Sequence, residues 1–279
     1  MTIGECVAAG ARQLSAAGIV DARREARLIL AHALGVEPVA VSGYPERPVP
    51  DPEAFERLIA RRARREPLSH LTGQREFWSL TLETGPATLD PRPDSESLVE
   101  AALGVVPDRT APLSVLDLGT GTGCLLLAVL SELPRAAGLG IDVSPAALAV
   151  ARRNAERVGM ASRTRFEPGD WGRRLDGQFD LILCNPPYIP TGEIAELQPE
   201  VADFEPRIAL DGGADGLDAY RVVVPDIMRL LAAGGAAVLE FGAGQGAAVT
   251  QIVTAEGLVI DRMTRDLAGH ERCATIRKR

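Results

Sequence analysis

Four consecutive residues, Asn185-Pro186-Pro187-Tyr188, combine the side chains and backbone needed to hold a planar NH2 group. They follow the apolar run Phe179-Asp180-Leu181-Ile182-Leu183-Cys184, which reads as a buried parallel strand. An amide side chain is thereby delivered to the C-terminal tip of a strand. Each proline fixes φ and removes an N–H donor, so the carbonyls beside Asn185 sit on a stiff loop. The Asn185 amide oxygen and the Pro186 carbonyl can each accept one hydrogen from the group held, and Tyr188 can pack on its face. The same four residues also make an ordinary proline-rich turn, because asparagine and proline favour turns generally.

A second strand tip lies upstream. Ser114 to Leu118 is apolar and runs into Gly119-Thr120-Gly121-Thr122-Gly123, after which Cys124 to Leu133 reads as a helix. A strand, a glycine loop and a helix N-terminus bring backbone close to a ligand. The spacing is neither G-x-G-x-x-G nor the P-loop pattern, and no lysine follows, so phosphate binding is not supported. Asp142 ends a third strand, Gly138 to Val143, where an acid can hold ribose hydroxyls or cap the helix that Ser144-Pro145 opens. Trp171 follows a fourth, Thr164 to Glu167, and can face an adenine or anchor the core.

In this order, Asp117-Leu118-Gly119-Thr120-Gly121-Thr122-Gly123, Gly140-Ile141-Asp142-Val143-Ser144, Asp170-Trp171 and Asn185-Pro186-Pro187-Tyr188 resemble the class I S-adenosylmethionine-dependent methyltransferases. Further blocks narrow the resemblance to the protein-(glutamine-N5) methyltransferases that modify peptide chain release factors. They are Arg64-Arg65-Glu66-Pro67, Leu71-Thr72-Gly73, Arg75-Glu76-Phe77, Pro91-Arg92-Pro93-Asp94-Ser95-Glu96, Glu205-Pro206, Ala209-Leu210, Asp215-Gly216-Leu217, Tyr220-Arg221 and Asp266-Leu267-Ala268-Gly269. Asn-Pro-Pro-Tyr alone is shared with nucleic-acid amino-methyltransferases. Three places depart from the pattern: Asp90 stands before Pro-Arg-Pro where an apolar residue is usual, Ser69-His70 replaces an aromatic, and Gly172 replaces a large apolar residue.

The resemblance implies an α/β fold with a Rossmann-like seven-stranded sheet whose last strand is antiparallel. It implies a helical substrate-docking domain over 1–72, a β-hairpin linker over 73–92 and a methyltransferase domain over 93–279. It further implies S-adenosylmethionine as cofactor, with Gly119, Thr120, Gly121, Thr122 and Gly123 at the methionine moiety, Asp142 on the ribose, Trp171 against the adenine and Asn185 near the sulfonium. Asn185, Pro186 and Tyr188 are the implied catalytic residues. With Pro187 they would hold the substrate, the glutamine of the release-factor Gly-Gly-Gln loop.

The elements around these tips are legible in outline. Thr2-Ile3-Gly4-Glu5 forms a capping box for a helix to about Ala17. Asp21 is placed to cap a second helix ending before Gly35, and Asp51-Pro52 a third running to about Arg65, where Pro67 bars extension. Residues 73–90 read as a strand pair with a turn at Gly85-Pro86, and Asp94 is placed to cap a helix over Ser95 to Leu103. Strands and helices then alternate, which calls for a parallel sheet covered on both faces. Ile189 to Gly216 reads as a long irregular substrate-side wall.

Composition removes several function classes. A length of 279 residues accommodates two domains. No apolar run approaches a membrane span, and no export signal pattern opens the chain, so a cytoplasmic location is expected. Cys6, Cys124, Cys184 and Cys273 form no C-x-x-C and read as free thiols, and the isolated His32, His70 and His270 argue against a metal site. A net charge of −8 argues against stable nucleic-acid binding. Charge is uneven, with 11 arginines and 9 acids in the first 75 residues. The run Arg61-Arg62-Ala63-Arg64-Arg65 reads as a solvated helix face, or else as a contact to acids or RNA. A monomer is expected. The rivals are an adenine or cytosine amino-methyltransferase, which needs base flipping and a basic channel, and a cofactor-binding scaffold without chemistry.

Overall fold

In the computed structural model, which describes residues 1–266 and 268–279, Thr2 opens helix α1 (Ile3–Ala16) by a reciprocal cap. The Glu5 N–H donates to the Thr2 hydroxyl at 3.3 Å, and the Thr2 N–H donates to the Glu5 carboxylate at 2.8 Å. Helix α2 (Ala22–Leu34) ends at Gly35 in the left-handed conformation (φ 63°). Asp21 stands at its start without capping it, because ψ there is 37° rather than extended and no side-chain bond forms. A short helix α3 (Pro38–Gly43) has no counterpart in the sequence reading. Helix α4 (Pro52–Ala63) is capped by Asp51, which accepts from the Ala54 N–H at 3.0 Å. It stops two residues before the expected Arg65, whose own φ is +71°. Helix α5 (Leu68–Thr72) follows. These helices bury Leu14, Ile29, Leu30, Phe55 and Ile59 together. Gly10 sets the spacing of α1 and α4, since a Cβ there would meet Phe55 Cζ at 2.7 Å.

Strands β1 (Gln74–Phe77) and β2 (Leu80–Glu83) form the expected hairpin. Its turn is Trp78-Ser79, both at positive φ (50° and 60°), as the twist of a two-residue hairpin requires. Gly85 makes a separate turn, accepting from the Thr88 N–H at 3.1 Å. Asp94 does not cap the next helix. It lies inside a 3-10 turn, Pro93–Ser95, that precedes α6 (Glu96–Gly104), and its carbonyl accepts from the Ser97 hydroxyl at 2.6 Å.

The rest alternates as expected: β3 (Ser114–Leu118), α7 (Cys124–Glu132), β4 (Ala137–Asp142), α8 (Pro145–Arg157), β5 (Thr164–Pro168) and β6 (Phe179–Cys184). After a stretch containing two 3-10 turns and the short helix α9 (Pro199–Ala202) come α10 (Asp218–Leu230), β7 (Leu231–Glu240), α11 (Gly246–Ala255), β8 (Leu258–Arg265) and β9 (Glu271–Lys278). The seven strands run in the order β5-β4-β3-β6-β7-β9-β8, with β9 antiparallel to both neighbours. Both faces are apolar. Leu181 and Leu183 of β6 face the core shared with α6, α7 and α8, while Ile182 and Cys184 face the core shared with α10 and α11. This two-sided burial is why the strand reads as one unbroken apolar run. Leu267, part of the Asp266 to Gly269 block, lies outside the described residues.

The chain divides into two compact units. One comprises Met1–Gln74 with Gln198–Phe204, the other Arg75–Leu197 with Glu205–Arg279. The inserted segment explains the arginine run. Arg62 is 6% exposed and pairs with Glu25 at 2.6 Å and Glu200 at 2.9 Å, and Arg65 reaches the other Glu200 oxygen at 2.8 Å. Arg62 is therefore an interior cross-link of the helical unit rather than part of a solvated face, while Arg64 remains exposed. Among the described residues, no helix is long and apolar enough to cross a membrane.

Candidate active site

A cavity of about 420 Å³ opens at the C-terminal ends of β3, β4 and β6. The glycine loop is folded onto the tip of β4. The N–H groups of Gly119 and Thr120 both donate to the Ile141 carbonyl at 2.9 Å, and the Gly121 N–H donates to Asp142 Oδ2 at 2.9 Å. The Thr120 hydroxyl donates down to Asp117 Oδ2 at 2.6 Å, which pins the loop to the strand beneath it. Gly121 has φ +56° and a Cβ placed on it would meet nothing within 4 Å, so its bare backbone borders the open cavity. A Cβ on Gly119 would meet Trp171 Cζ3 at 3.1 Å, so there the missing side chain admits the indole.

Asp142 lines the cavity, and its Oδ1 accepts from the Ser144 N–H at 2.9 Å. The capping of α8 falls to Ser144, whose hydroxyl accepts from the Ala147 N–H at 3.2 Å. Beside it Val143 is 56% exposed, and across the cavity Ile208 is 64% exposed, leaving bare apolar surface on the wall. Trp171 is also on the wall, at a positive φ of 55°. Gly172 is small because α10 packs on it: a Cβ would meet Leu230 Cδ1 at 2.6 Å, and its N–H donates to Asp226 Oδ2 at 2.9 Å.

At the tip of β6, Asn185 and Pro187 border the cavity, whereas Pro186 and Tyr188 do not line it. Asn185 donates from Nδ2 to the Ser95 hydroxyl at 3.2 Å, which turns its amide oxygen away from Ser95. Tyr188 packs inward beside Gly242, and burial pushes its hydroxyl up to about 12.

Comparison with known proteins then decides the family. Residues 5–73 match the PrmC N-terminal domain, and residues 101–198 match the methyltransferase small domain. The release factor glutamine methyltransferase of Rhodospirillum rubrum is 48% identical over 281 residues, spanning 100% of this chain and 86% of that one. That of Cereibacter sphaeroides is 45% identical over 280 residues, spanning 99% of each. This chain belongs to the release factor glutamine methyltransferase family. It shares the sheet architecture of a Pyrococcus furiosus methyltransferase (TM-score 0.54, 18% identity, 78% of this chain and 96% of that one). It also shares that of the hMettl16 catalytic domain (TM-score 0.57, 17% identity, 78% and 80%).

Two residues here, Glu240 and Gln245, were not singled out in the sequence, and the pairings of Arg92, Glu205 and Asp90 were not read from it. Glu240, at the tip of β7, is 1% exposed, and its Oε2 has no hydrogen-bond partner. Burial pushes its carboxyl up to about 7, against hydrogen bonding from Ser95 and Asn185 and the charge of Arg272. Gln245 holds the Asn-Pro-Pro-Tyr loop: its Nε2 donates to the Tyr188 carbonyl at 2.9 Å while its Oε1 accepts from the Gly242 N–H at 2.9 Å. Arg92 donates to both oxygens of Glu205 at 2.7 and 2.8 Å, joining the Pro-Arg-Pro block to the Glu-Pro stretch. Burial pushes Glu205 up to about 7, opposed by Arg92 and reinforced by Asp90. Asp90, the departure from the family pattern, has Arg75 at 3.7 Å as its counter-charge. Glu240 and Gln245, and the pairing of Arg92 with Glu205 and of Arg75 with Asp90, could not be found from local pattern, because the partners lie far apart in the chain.

Asp117 is fully buried and its Oδ1 lacks a partner. Burial pushes its carboxyl up to about 7, opposed by the Thr120 bond and reinforced by Asp142. The thiols of Cys124 and Cys273 are pushed up to about 12 and that of Cys184 well above its ordinary value, each chiefly by burial, so all three stay protonated and inert as nucleophiles. No group of three or more potential metal ligands occurs among the described residues.

Proposed function

We propose that this methyltransferase transfers the methyl group of S-adenosylmethionine to N5 of the glutamine in the Gly-Gly-Gln motif of peptide chain release factors. The observation that carries this is the Asn185 amide, anchored through its nitrogen to Ser95 and bordering the same cavity as the glycine loop. The walls fit the cofactor. The bare backbone at Gly121 leaves room for the methionine moiety, with Gly119, Thr120, Thr122 and Gly123 completing the cradle. Asp142 retains acceptor capacity for ribose hydroxyls, and Val143 and Trp171 offer apolar surface to an adenine. When bound, S-adenosylmethionine supplies an electrophilic methyl on a positively charged sulfur.

An amide nitrogen is a poor nucleophile because its lone pair is delocalised into the carbonyl. Asn185, which borders the cavity, accepts an amide hydrogen through Oδ1, holding the nitrogen in line with the methyl and favouring loss of planarity. Its partial negative charge also stabilises the positive charge that develops on nitrogen. The proton leaves after transfer, when the nitrogen is strongly acidic, so no strong base is required. Pro187 narrows the mouth, and Tyr188 holds the loop from inside. The helical unit serves as the docking surface for the protein substrate.

The test is mass spectrometry of an unmethylated release factor after incubation with the enzyme and S-adenosylmethionine. The expected result is a gain of one CH2 unit on the Gly-Gly-Gln glutamine. An unmodified glutamine, with cofactor binding demonstrated in the same preparation, would overturn the assignment.

A further inference from the structure

Asn185 can grip an NH2 group only in one of its two amide orientations. With Oδ1 toward the cavity it accepts; rotated by half a turn it presents hydrogens to hydrogens. Rotation about the terminal bond of asparagine is soft, so something must choose. Strands β6 and β7 are paired in register through Cys184 and Leu239, so the next residues, Asn185 and Glu240, come side by side at the edge of the sheet. Ser95, at the end of the 3-10 turn, receives the Asn185 Nδ2–H at 3.2 Å. The backbone carbonyl of Glu240 is itself fixed by the Tyr220 hydroxyl at 3.1 Å, and β9 pairs with it through Cys273.

We propose that Glu240 is a positioning residue for Asn185: its ionised carboxylate, acting with the Ser95 hydroxyl, accepts on the inner side of the amide and so commits Oδ1 to the cavity. This rests on the reading of Asn185 as the acceptor grip. An ionised carboxylate has no hydrogen to give, so it tolerates only the NH2 side of the amide. A protonated one can donate to Oδ1 and loses that discrimination. The Ser95 hydroxyl cannot discriminate alone, because it donates or accepts as it is turned.

The surroundings keep the acid available for this task. Arg272 on β9 carries its own salt bridge to Asp266 at 2.8 Å and lies 3.8 Å from Asp94, so it lends charge without occupying the carboxylate. The other titratable groups facing Glu240 are Asp94 from the 3-10 turn, Tyr188 from the loop, Tyr220 from α10, Cys184 from β6, Cys273 from β9 and Cys124 from α7. The tyrosines and cysteines are held protonated by burial; Asp117 on β3, which neighbours the same Cys124 and Cys184, is also pushed up to about 7, so the Glu240→Gln profile is what assigns an inflection to Glu240.

The experiment is a kcat–pH profile on the full-length enzyme with an unmethylated release factor, for the wild type, Glu240→Gln and Asn185→Ala. In the wild type kcat should rise with pH through about 7, as the carboxylate ionises. Glu240→Gln, which can donate, should lose that inflection and lower kcat on the order of 10- to 100-fold, as loss of an outer-shell partner does elsewhere. KM for S-adenosylmethionine should be unchanged. In the wild-type enzyme free of substrate, the side-chain 15N–H2 resonances of Asn185 should titrate with the same midpoint, a readout independent of turnover and of the variant's folding. A retained inflection in Glu240→Gln, or an Asn185 amide indifferent to pH, would overturn the positioning role while leaving the acceptor grip intact. A fully active Asn185→Ala would instead remove the reading on which the proposal stands.

Discussion

The helical unit and the strand tips of the sheet unit bury charge in opposite ways. In the helical unit the interior guanidinium of Arg62 meets two carboxylates, and Glu66 accepts twice from Arg61 at 2.8 and 2.5 Å. These charges are answered, and the Arg61 hydrogen bonds hold the Glu66 carboxyl below its ordinary value. In the sheet unit Asp117 and Glu240 are buried at strand tips with one bare oxygen each, and both carboxyls are pushed up to about 7. The first arrangement is what stability asks of buried charge. The second is destabilising by itself and persists where a ligand or a reaction makes use of it. The contrast separates residues that hold the chain together from residues that hold something else.

The sharpest way to break this contrast is Asn185→Ala. It should lower kcat on the order of 10²–10³-fold, by analogy with deleting one preorganised oxyanion-hole donor, with little change in unfolding free energy. A variant that unfolds but, while folded, turns over normally would place Asn185 among the structural residues.

Arg62→Ala is the mirror experiment. It strands the Glu25 carboxylate without a counter-charge and leaves Glu200 with Arg65 alone, and removing one partner of a buried ion pair costs about 3–5 kcal/mol. Urea denaturation should show that loss, while cofactor binding by the sheet unit stays as in the wild type.

Asp117→Asn should behave in reverse. Because the folded value of about 7 lies above the ordinary 3.8, the folded chain holds an extra proton between those values. Its contribution therefore lowers stability as pH rises from 3.8 toward about 7 and is constant beyond. The asparagine variant should lose that slope and be at least as stable as wild type at alkaline pH, yet bind S-adenosylmethionine more weakly in calorimetry. Glu66 titrates with the opposite sign: its lowered value contributes stability that is lost as pH falls through it. Amide hydrogen exchange resolved by unit would show the helical unit loosening in acid, through Glu66, before the strand tips do.

The smallest effects come from a matched pair of glycines. Gly35 and Gly121 both have positive φ (63° and 56°) and open space where a Cβ would go. Alanine at either should cost about 1 kcal/mol of backbone strain. Only Gly121→Ala should also weaken cofactor binding, because only its open space belongs to the cavity.

What could be read from the sequence follows the range of the interactions. The glycine loop, Asp142, Trp171 and Asn185 were visible because each is a strand followed at once by its functional tip, and the sheet then collects the tips at one edge. Glu240 was invisible because nothing near it in the chain marks it. Its role arises from the register of β6 against β7 and from Ser95, some 145 positions earlier. Two local readings failed for local reasons. Trp78-Ser79 makes the hairpin turn without glycine, asparagine or aspartate, the residues by which such turns are recognised. Asp94 has the side chain of a cap, but Pro93 starts a 3-10 turn that takes Asp94 inside it and moves the cap position of α6 to Ser95.

The route of the chain between the two units also constrains how such an enzyme can be assembled from parts. The backbone passes from one unit to the other at 74/75, 197/198 and 204/205, not once. A fragment ending at residue 74 lacks Glu200, so Arg62 would keep only one of its two anionic partners and Arg65 would lose its own. The helices are thus not a detachable N-terminal cassette. A chimera that exchanges them between relatives must exchange residues 198–204 as well, and a single protease nick at the first crossing would leave Glu200 on the larger piece, tied to Arg62 and Arg65 by ion pairs alone.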